Sequence, residues 1–310
     1  MLTEALVIAF FIIGLQLMTP LLFAGLGEVV SEKSGILNIG IEGVMLIGAF
    51  TTAFVGINTG SASLAFICGG AAGLISGMVL SFLYVNRGTD QIVTGLMFNI
   101  FAFGLTGTLD RLFLSGIAGP VLPAMPLPLI SKIKWIGQIL EPQNISLYIG
   151  LALIFVVYWL LHRTWWGLYA RTAGERPLAA ESGGLNVLRL RYFAVMIGCF
   201  FAALGGAALV LISSGGFSPG ITGGRGFIVL GIVVLAKWKP TLVFVFALAF
   251  GMIQGLQFLG GRMELLASIP PQFWIALPYI MIVIAVAFAP GSTYPAAVGI
   301  PYRSPAKSAN

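Results

Sequence analysis

The chain has 310 residues, 58% hydrophobic and only 8% charged, with a net charge of +6 and a mean hydropathy of +1.02. Soluble domains carry roughly 25% charged residues, and a larger core would not remove the need for a charged surface, so a soluble fold is excluded. The apolar runs are continuous rather than ~10-residue alternating segments, which disfavours a β-barrel and leaves an all-α polytopic membrane protein. The positive balance reads as basic loops on one side of a membrane, not as binding to a nucleic acid polymer.

Taken in order, the runs at 5–25, 36–57, 62–85, 91–112, 145–162, 191–213, 240–260 and 272–290 each approach the ~20 residues needed to cross a hydrocarbon core. The first, beginning MLTEALVIAFF, lacks a basic leader region and continues past any cleavage position, so it reads as a span, not a signal peptide. A further run, 226–236, sits between Gly223, Gly224 and Gly226 on one side and Lys237, Lys239 and Pro240 on the other. It is either a short crossing or a re-entrant half-helix, since irregular backbone at that depth must be buried or line a cavity. The expectation is about 8–10 transmembrane helices with one broken or re-entrant segment, forming a single transmembrane domain over 1–310. No sequence repeat is evident.

Within 32–50, Gly35, Gly40 and Gly43 interrupt an apolar run around Asn38 and Glu42. An intramembrane carboxylate is costly and marks a functional site by default; the alternative is that Glu42 pairs locally or caps a broken helix. Gln91, Asn99 and Gln254 are amides inside other spans, as are Gln16 and Gln257. Amides donate and accept, which suits a neutral polar solute, and equally they tie helices together. The candidate translocation pathway is therefore Asn38, Glu42, Gln91, Asn99 and Gln254. Gly69, Gly73 and Gly77 share one helical face and read as a packing surface. Cys68 and Cys199 lie in apolar runs and read as unpaired packing residues.

Residues 113–144 carry Pro120, Pro123, Pro126, Pro128 and Pro142, which argues against a long helix. The tail 291–310 reads as extended. Residues 163–191 form a polar island holding Arg163, Arg171, Glu175, Arg176, Glu181, Arg189 and Arg191, seven of the chain's 16 Lys+Arg and 10 Asp+Glu side chains. Placing this island in the cytoplasm puts eleven basic residues inside and five outside, Arg111, Lys132, Lys134, Arg225 and Arg262. The N-terminus is then outside, 113–144 is extracytoplasmic and the C-terminus is inside. In the island, Pro177 suits a first helical turn, Leu178 to Ser182 continue it and Gly183-Gly184 stop it. Two turns are not stable alone in water, so this helix needs a partner surface.

No GxxxxGK[ST] loop occurs, so ATP hydrolysis by that route is not expected here. One histidine, His162, and two separated cysteines offer no transition-metal cluster. No Ser/His/Asp or paired-carboxylate arrangement is visible.

Three segments in order, SEKSGILNIGIEGVMLIGAF (31–50), GERPLAAESGGLNVLRLRYFAVMIGCFFAALGGA (174–207) and GGRGFIVLGIVVLAKWKP (223–240), resemble the ABC importer permeases of the ribose and branched-chain amino-acid superfamily. Within it the chain is most similar to the nucleoside, or basic-membrane-protein-dependent, branch. The resemblance implies a type II importer-like fold, a second and usually non-identical permease, a cytoplasmic ATPase with two nucleotide-binding domains in one chain, and an extracytoplasmic binding lipoprotein. It implies no cofactor on this chain, with ATP and Mg²⁺ on the ATPase, and a multi-pass place in the bacterial inner membrane. Residues 163–190 become the cytoplasmic coupling loop, in which Gly174, Glu175, Pro177, Ala179, Ala180, Gly183 and Asn186 match the family pattern. Leu178 lies within the matched helix, and Arg176 stands where Asn is common. Arg171, Arg176, Arg189 and Arg191 are expected to pair with acidic ATPase residues or lipid headgroups. Nucleosides are the expected solutes, with a simple sugar such as ribose as the alternative and an ATP-independent carrier or channel as the competing class.

Overall fold

The computed structural model describes residues 2–114, 116–124, 134–213, 216–260, 270–287 and 294–302. Among the described residues twelve α-helices follow one another: α1 (Leu2–Lys33), α2 (Ile41–Thr59), α3 (Ala62–Ser81), α4 (Gln91–Phe113), α5 (Lys134–Leu140), α6 (Ile145–Arg163), α7 (Trp165–Glu175), α8 (Pro177–Ser182), α9 (Val187–Ser213), α10 (Arg225–Leu235), α11 (Pro240–Gly260) and α12 (Pro271–Ala287). Seven of them, α1 to α4, α6, α9 and α11, are long and apolar enough to cross a membrane. The shorter apolar helices α10 and α12 pack on α11 and on each other, and residues 294–302 lie at the end of the bundle where α1 stops, Ala297 N–H donating to Gly174 O beside Lys33. Part of the outer loop (115 and 125–133), the stretch 261–269, and residues 288–293 and 303–310 lie outside the described residues, and with them Lys132, Arg262, Arg303 and Lys307.

The bundle is organised around α9. Some 78% of its most apolar window is buried inside the protein, against 22% for α4, which makes α9 the central pillar and α4 an outer helix. Close approach is what small residues provide where lipid removes most of the hydrophobic drive between helices. A Cβ added at Gly206 would stand 1.9 Å from the Met45 carbonyl oxygen, so α2 and α9 meet backbone to backbone there. The Gly69, Gly73 and Gly77 face of α3 abuts α2 and α9; at Gly73 an added Cβ would lie 2.4 Å from that of Ala203.

Two interruptions face each other in the middle of this bundle. The first separates α1 from α2. Turn bonds Ser34 N–H to Ser31 O (3.0 Å) and Gly35 N–H to Glu32 O (2.9 Å) reverse the chain, and residues 36–40 run back unwound. Asn38 then lies against Cys199, near the midpoint of α9, so α2 begins at mid-depth. The second runs from 216 to 224, with positive φ at Gly220, Gly223 and Gly224. Eleven helical residues cover about 16 Å, roughly half of a ~30 Å hydrocarbon core. The segment starts beside the far end of α9, where Leu122 N–H donates to Leu211 O, and ends at Trp238 beside Glu32 and Lys33. It is therefore a full crossing, built of an unwound half and the helical half α10.

Candidate functional site

Glu42, in the first turn of α2, joins the two interruptions. Its Oε1 accepts hydrogen bonds from Thr222 Oγ1 (2.6 Å) and Gly224 N–H (2.8 Å), and its Oε2 accepts from Gly226 N–H (2.6 Å). The carboxylate thus satisfies orphan amides at the N-terminus of α10, where the helix dipole favours a negative charge. Glu42 therefore caps a broken helix, α10, at mid-depth and not near the inner interface.

The other polar side chains of the pathway set also serve the unwound stretch. Gln91 Oε1 accepts from Leu37 N–H (2.7 Å); Asn99 Oδ1 accepts from Gly43 N–H (2.7 Å) while its Nδ2 donates to Ile39 O (2.9 Å). Asn38 is fully buried; its N–H donates to Glu28 Oε1 (2.9 Å), its Nδ2 to Cys199 Sγ (3.4 Å), and its Oδ1 accepts from Tyr84 (3.4 Å). Backbone groups released from helical pairing at membrane depth must find such partners.

Sequence inspection found no paired carboxylates, and this is corrected by α1, where Glu28 and Glu32 lie one helical turn apart, both buried. Their i, i+4 spacing was available in the sequence, but only their joint burial gives it meaning. Glu32 accepts a short hydrogen bond from Trp238 Nε1. Trp238 has φ +55°, unusual for a bulky residue. The bond to Glu32, the Tyr294 ring 4.7 Å away and the Lys33 ammonium 5.9 Å from its ring hold it there. The motif 31–43 therefore clamps both ends of α10, Glu42 at its start and Glu32 past its finish.

Two cavities flank the start of α10 and share Gly223. One, of about 180 Å³, is lined by Glu42, Asn99, Phe103 and Thr222 among others. The other, of about 200 Å³, is lined by Arg225, Ile228, Gln254, Gln257, Pro278 and Tyr279. Of the five pathway candidates, Glu42, Asn99 and Gln254 border these cavities, whereas Asn38 and Gln91 border neither. Arg225, counted in the sequence only as an outer basic residue, is the side chain that sequence inspection missed. Its signal was the Gly-Gly-Arg-Gly run at 223–226.

At the Lys33 end, the polar island folds into α7 and α8. Thr164 caps α7 by accepting from Gly167 N–H (3.1 Å). Pro177 opens α8, the short helix expected there, and Gly183 follows its last residue. Gly174 is buried against the Lys33 carbonyl and accepts from Ala297 N–H (2.9 Å); Glu175 is exposed and accepts from Ala296 N–H (3.3 Å). Ala180 is buried with Ala173 and Val187, whereas Arg176, Leu178, Ala179, Gly183 and Asn186 are exposed, and Asn186 accepts from Arg189 N–H (2.9 Å). Exposure of Leu178 at 59% leaves α8 with an apolar outer face.

Arg191 departs from the expectation of a partner-facing charge. It is 1% exposed and donates to three carbonyls, Ser34 (3.1 Å), Ala173 (3.3 Å) and Ile300 (3.3 Å), with the Tyr302 ring 5.5 Å away. A guanidinium spreads five donors over a fixed plane, so one side chain joins the α1–α2 turn, α7 and the tail. Tyr302 also hydrogen-bonds Glu181, and burial together with that carboxylate pushes its phenol up to about 12. Among the described residues, no cluster of three or more His, Cys, Asp or Glu is placed to hold a metal ion.

The fold and this pair of interrupted segments define a multi-pass helical membrane protein. A family model described as branched-chain amino acid transport system / permease component matches residues 10–286, and the chain belongs to that family. A guanosine ABC transporter permease protein of Bacillus subtilis is 33% identical across 91% of this chain and 92% of its own. A nucleoside ABC transporter permease protein of Lactococcus lactis is 31% identical across 92% and 93%, and a putative glucose ABC transporter permease protein of Haloferax volcanii is 37% identical across 78% and 74%. No solved structure matches the chain. The chain is a permease subunit of an ABC importer.

Proposed function

We propose that this permease moves nucleosides or related nucleobase-containing solutes inward across a bacterial plasma membrane, with 163–190 facing the cytoplasm and 113–144 the outside. Energy comes from a separate double-cassette ATPase that carries ATP and Mg²⁺. A second, non-identical permease completes the pathway, and an extracytoplasmic lipoprotein delivers the solute.

The observation that carries the coupling is the unbroken chain of contacts from α8 to α10. Leu178 and Ala179 present α8 to the ATPase. Behind them Gly174 and Arg191 grip the α1–α2 turn, whose motif holds α10 through Glu32 and Glu42. A displacement of α8 is thereby passed to the cavity walls as a rigid-body movement, and the ATPase biases the equilibrium by contacting one state better than the other. Of the five pathway candidates, Glu42, Asn99 and Gln254 then border the solute route, and Asn38 and Gln91 brace it.

The nucleoside reading draws support from two relatives named for nucleosides that align over more than nine-tenths of the chain. A simple sugar is the second reading, favoured by the glucose-named relative. The test is uptake by liposomes holding the complete importer, with uridine, adenosine, inosine, ribose and glucose as solutes. ATP-dependent nucleoside uptake that excess ribose and glucose fail to suppress is expected. Uptake by this chain without an ATPase would overturn the importer reading, and sugar-only uptake would overturn the substrate.

A further inference from the structure

Arg225 is a cation in the interior of a membrane bundle, an expensive placement that marks function when the side chain faces a cavity. Its Nε donates to Gln254 Oε1 (3.2 Å), and its Nη1 to the carbonyls of Ile221 (3.2 Å) and Thr222 (3.1 Å). Among the described residues its Nη2 has no hydrogen-bond partner and no carboxylate accepts from it. The nearby Glu42 oxygens are taken by Thr222, Gly224 and Gly226. Gln254 is 5% exposed and its oxygen is committed to Arg225, which leaves its amide N–H₂ as a donor. Tyr279 donates its hydroxyl to Gly223 O, so its ring remains for contact. The cavity therefore combines a donor-rich edge, Arg225 and Gln254, with a wall of Ile228, Pro278 and the Tyr279 ring. At about 200 Å³ it is smaller than the ~300–1,000 Å³ of sites that engulf a whole ligand, so it grips one part of a solute.

A flat ring with two adjacent acceptors on one edge matches these features. In the nucleobases that edge is the O6/N7 side of an oxopurine, which Arg225 Nη2 and the Gln254 amide N–H₂ would meet as two neighbouring donors. Adenine places an amino donor at position 6, which would meet the guanidinium donor to donor. A sugar's hydroxyls each donate as well as accept, so they do not single out a donor-only edge. We propose that the Arg225 cavity binds the 6-oxo edge of a purine nucleoside during passage; this rests on the nucleoside reading above.

The test separates the two claims. ATP-driven uptake of inosine and adenosine by the complete importer addresses the substrate class. Equilibrium binding of radiolabelled inosine and adenosine to the membrane complex purified without its lipoprotein addresses the site, because the two solutes differ at the 6-substituent. The native complex is expected to bind inosine about tenfold more tightly than adenosine, the scale of one good two-point base contact. Gln254→Glu supplies a carboxylate to the guanidinium and should abolish that preference; Arg225→Lys keeps the charge but loses the planar group that holds Gln254 Oε1 and presents Nη2, and should reduce it. Absence of any nucleoside uptake would bring down both claims. Nucleoside uptake with no inosine preference in the native complex, or with a preference unchanged in both assembled variants, would overturn the site alone.

Discussion

Gly226 donates its backbone N–H to Glu42 at 2.6 Å, and a Cβ at position 226 would stand 2.7 Å from the Glu42 Cα. The start of α10 thus rests directly on the start of α2. An acid that looked like a solute ligand is first of all the cap that lets a helix begin in mid-membrane.

Glu42→Gln keeps the shape of the side chain but leaves one acceptor oxygen where three donors converge. A buried donor without a partner costs about 1–3 kcal/mol. The variant should insert, lose thermal stability in detergent by that amount, and transport more slowly. Unchanged stability and full uptake would refute the capping role.

Gly206→Ala forces a Cβ to 1.9 Å from the Met45 carbonyl, a backbone atom that cannot swing aside. The expected loss is about 1–3 kcal/mol or more, read as a lower melting temperature or lower yield of folded protein. Gly104→Ala on α4 meets nothing within 4 Å and should be neutral or stabilising by up to about 1 kcal/mol, since glycine weakens a helix interior.

Ala179 and Ala180 are neighbours with opposite surroundings, the first exposed on α8 and the second buried beneath it. Ala179→Arg should leave the permease folded and abolish co-purification of the ATPase. Ala180→Arg should disturb the fold of the loop itself, seen as faster proteolysis within 163–190. Retention of the ATPase by the Ala179 variant would misplace the docking face.

Arg191→Lys substitutes one ammonium for a fork that serves three carbonyls and should loosen the tail and loop together, again read by limited proteolysis. The Tyr302 bond to Glu181 sets a pH expectation. A phenol raised above its ordinary ~10 contributes fully below pH 10 and loses that contribution as pH climbs through about 12. Protection of the loop should therefore not change through loss of the Tyr302 proton between pH 7 and 9, whereas Tyr302→Phe should weaken it at every pH in that range.

Much of this organisation could be read from residues one at a time. Pro177 and Gly183-Gly184 bracketed α8 because helix starts and stops are local chemistry. Gly35, Gly40 and Gly43 marked an interrupted run, and the short stretch 226–236 marked the other. Glu42 was conspicuous as a charge in an apolar context, but its role depended on Thr222, Gly224 and Gly226, about 180 positions away. The Glu28 and Glu32 pair went unread because spacing on a helix says nothing about what faces it.

The amino-acid sequence by itself determined that this protein lives in lipid, where its crossings fall and where its short helix begins and ends. Those properties depend on composition and on neighbours within a few residues. Only the tertiary structure decided which polar groups brace the interrupted segments and which are left facing a cavity. Arg191 and Arg225 are both arginines beside apolar runs. One is spent on three carbonyls and the other keeps a donor free, because partners supplied from distant segments, with no pattern along the chain, set the fate of a buried charge.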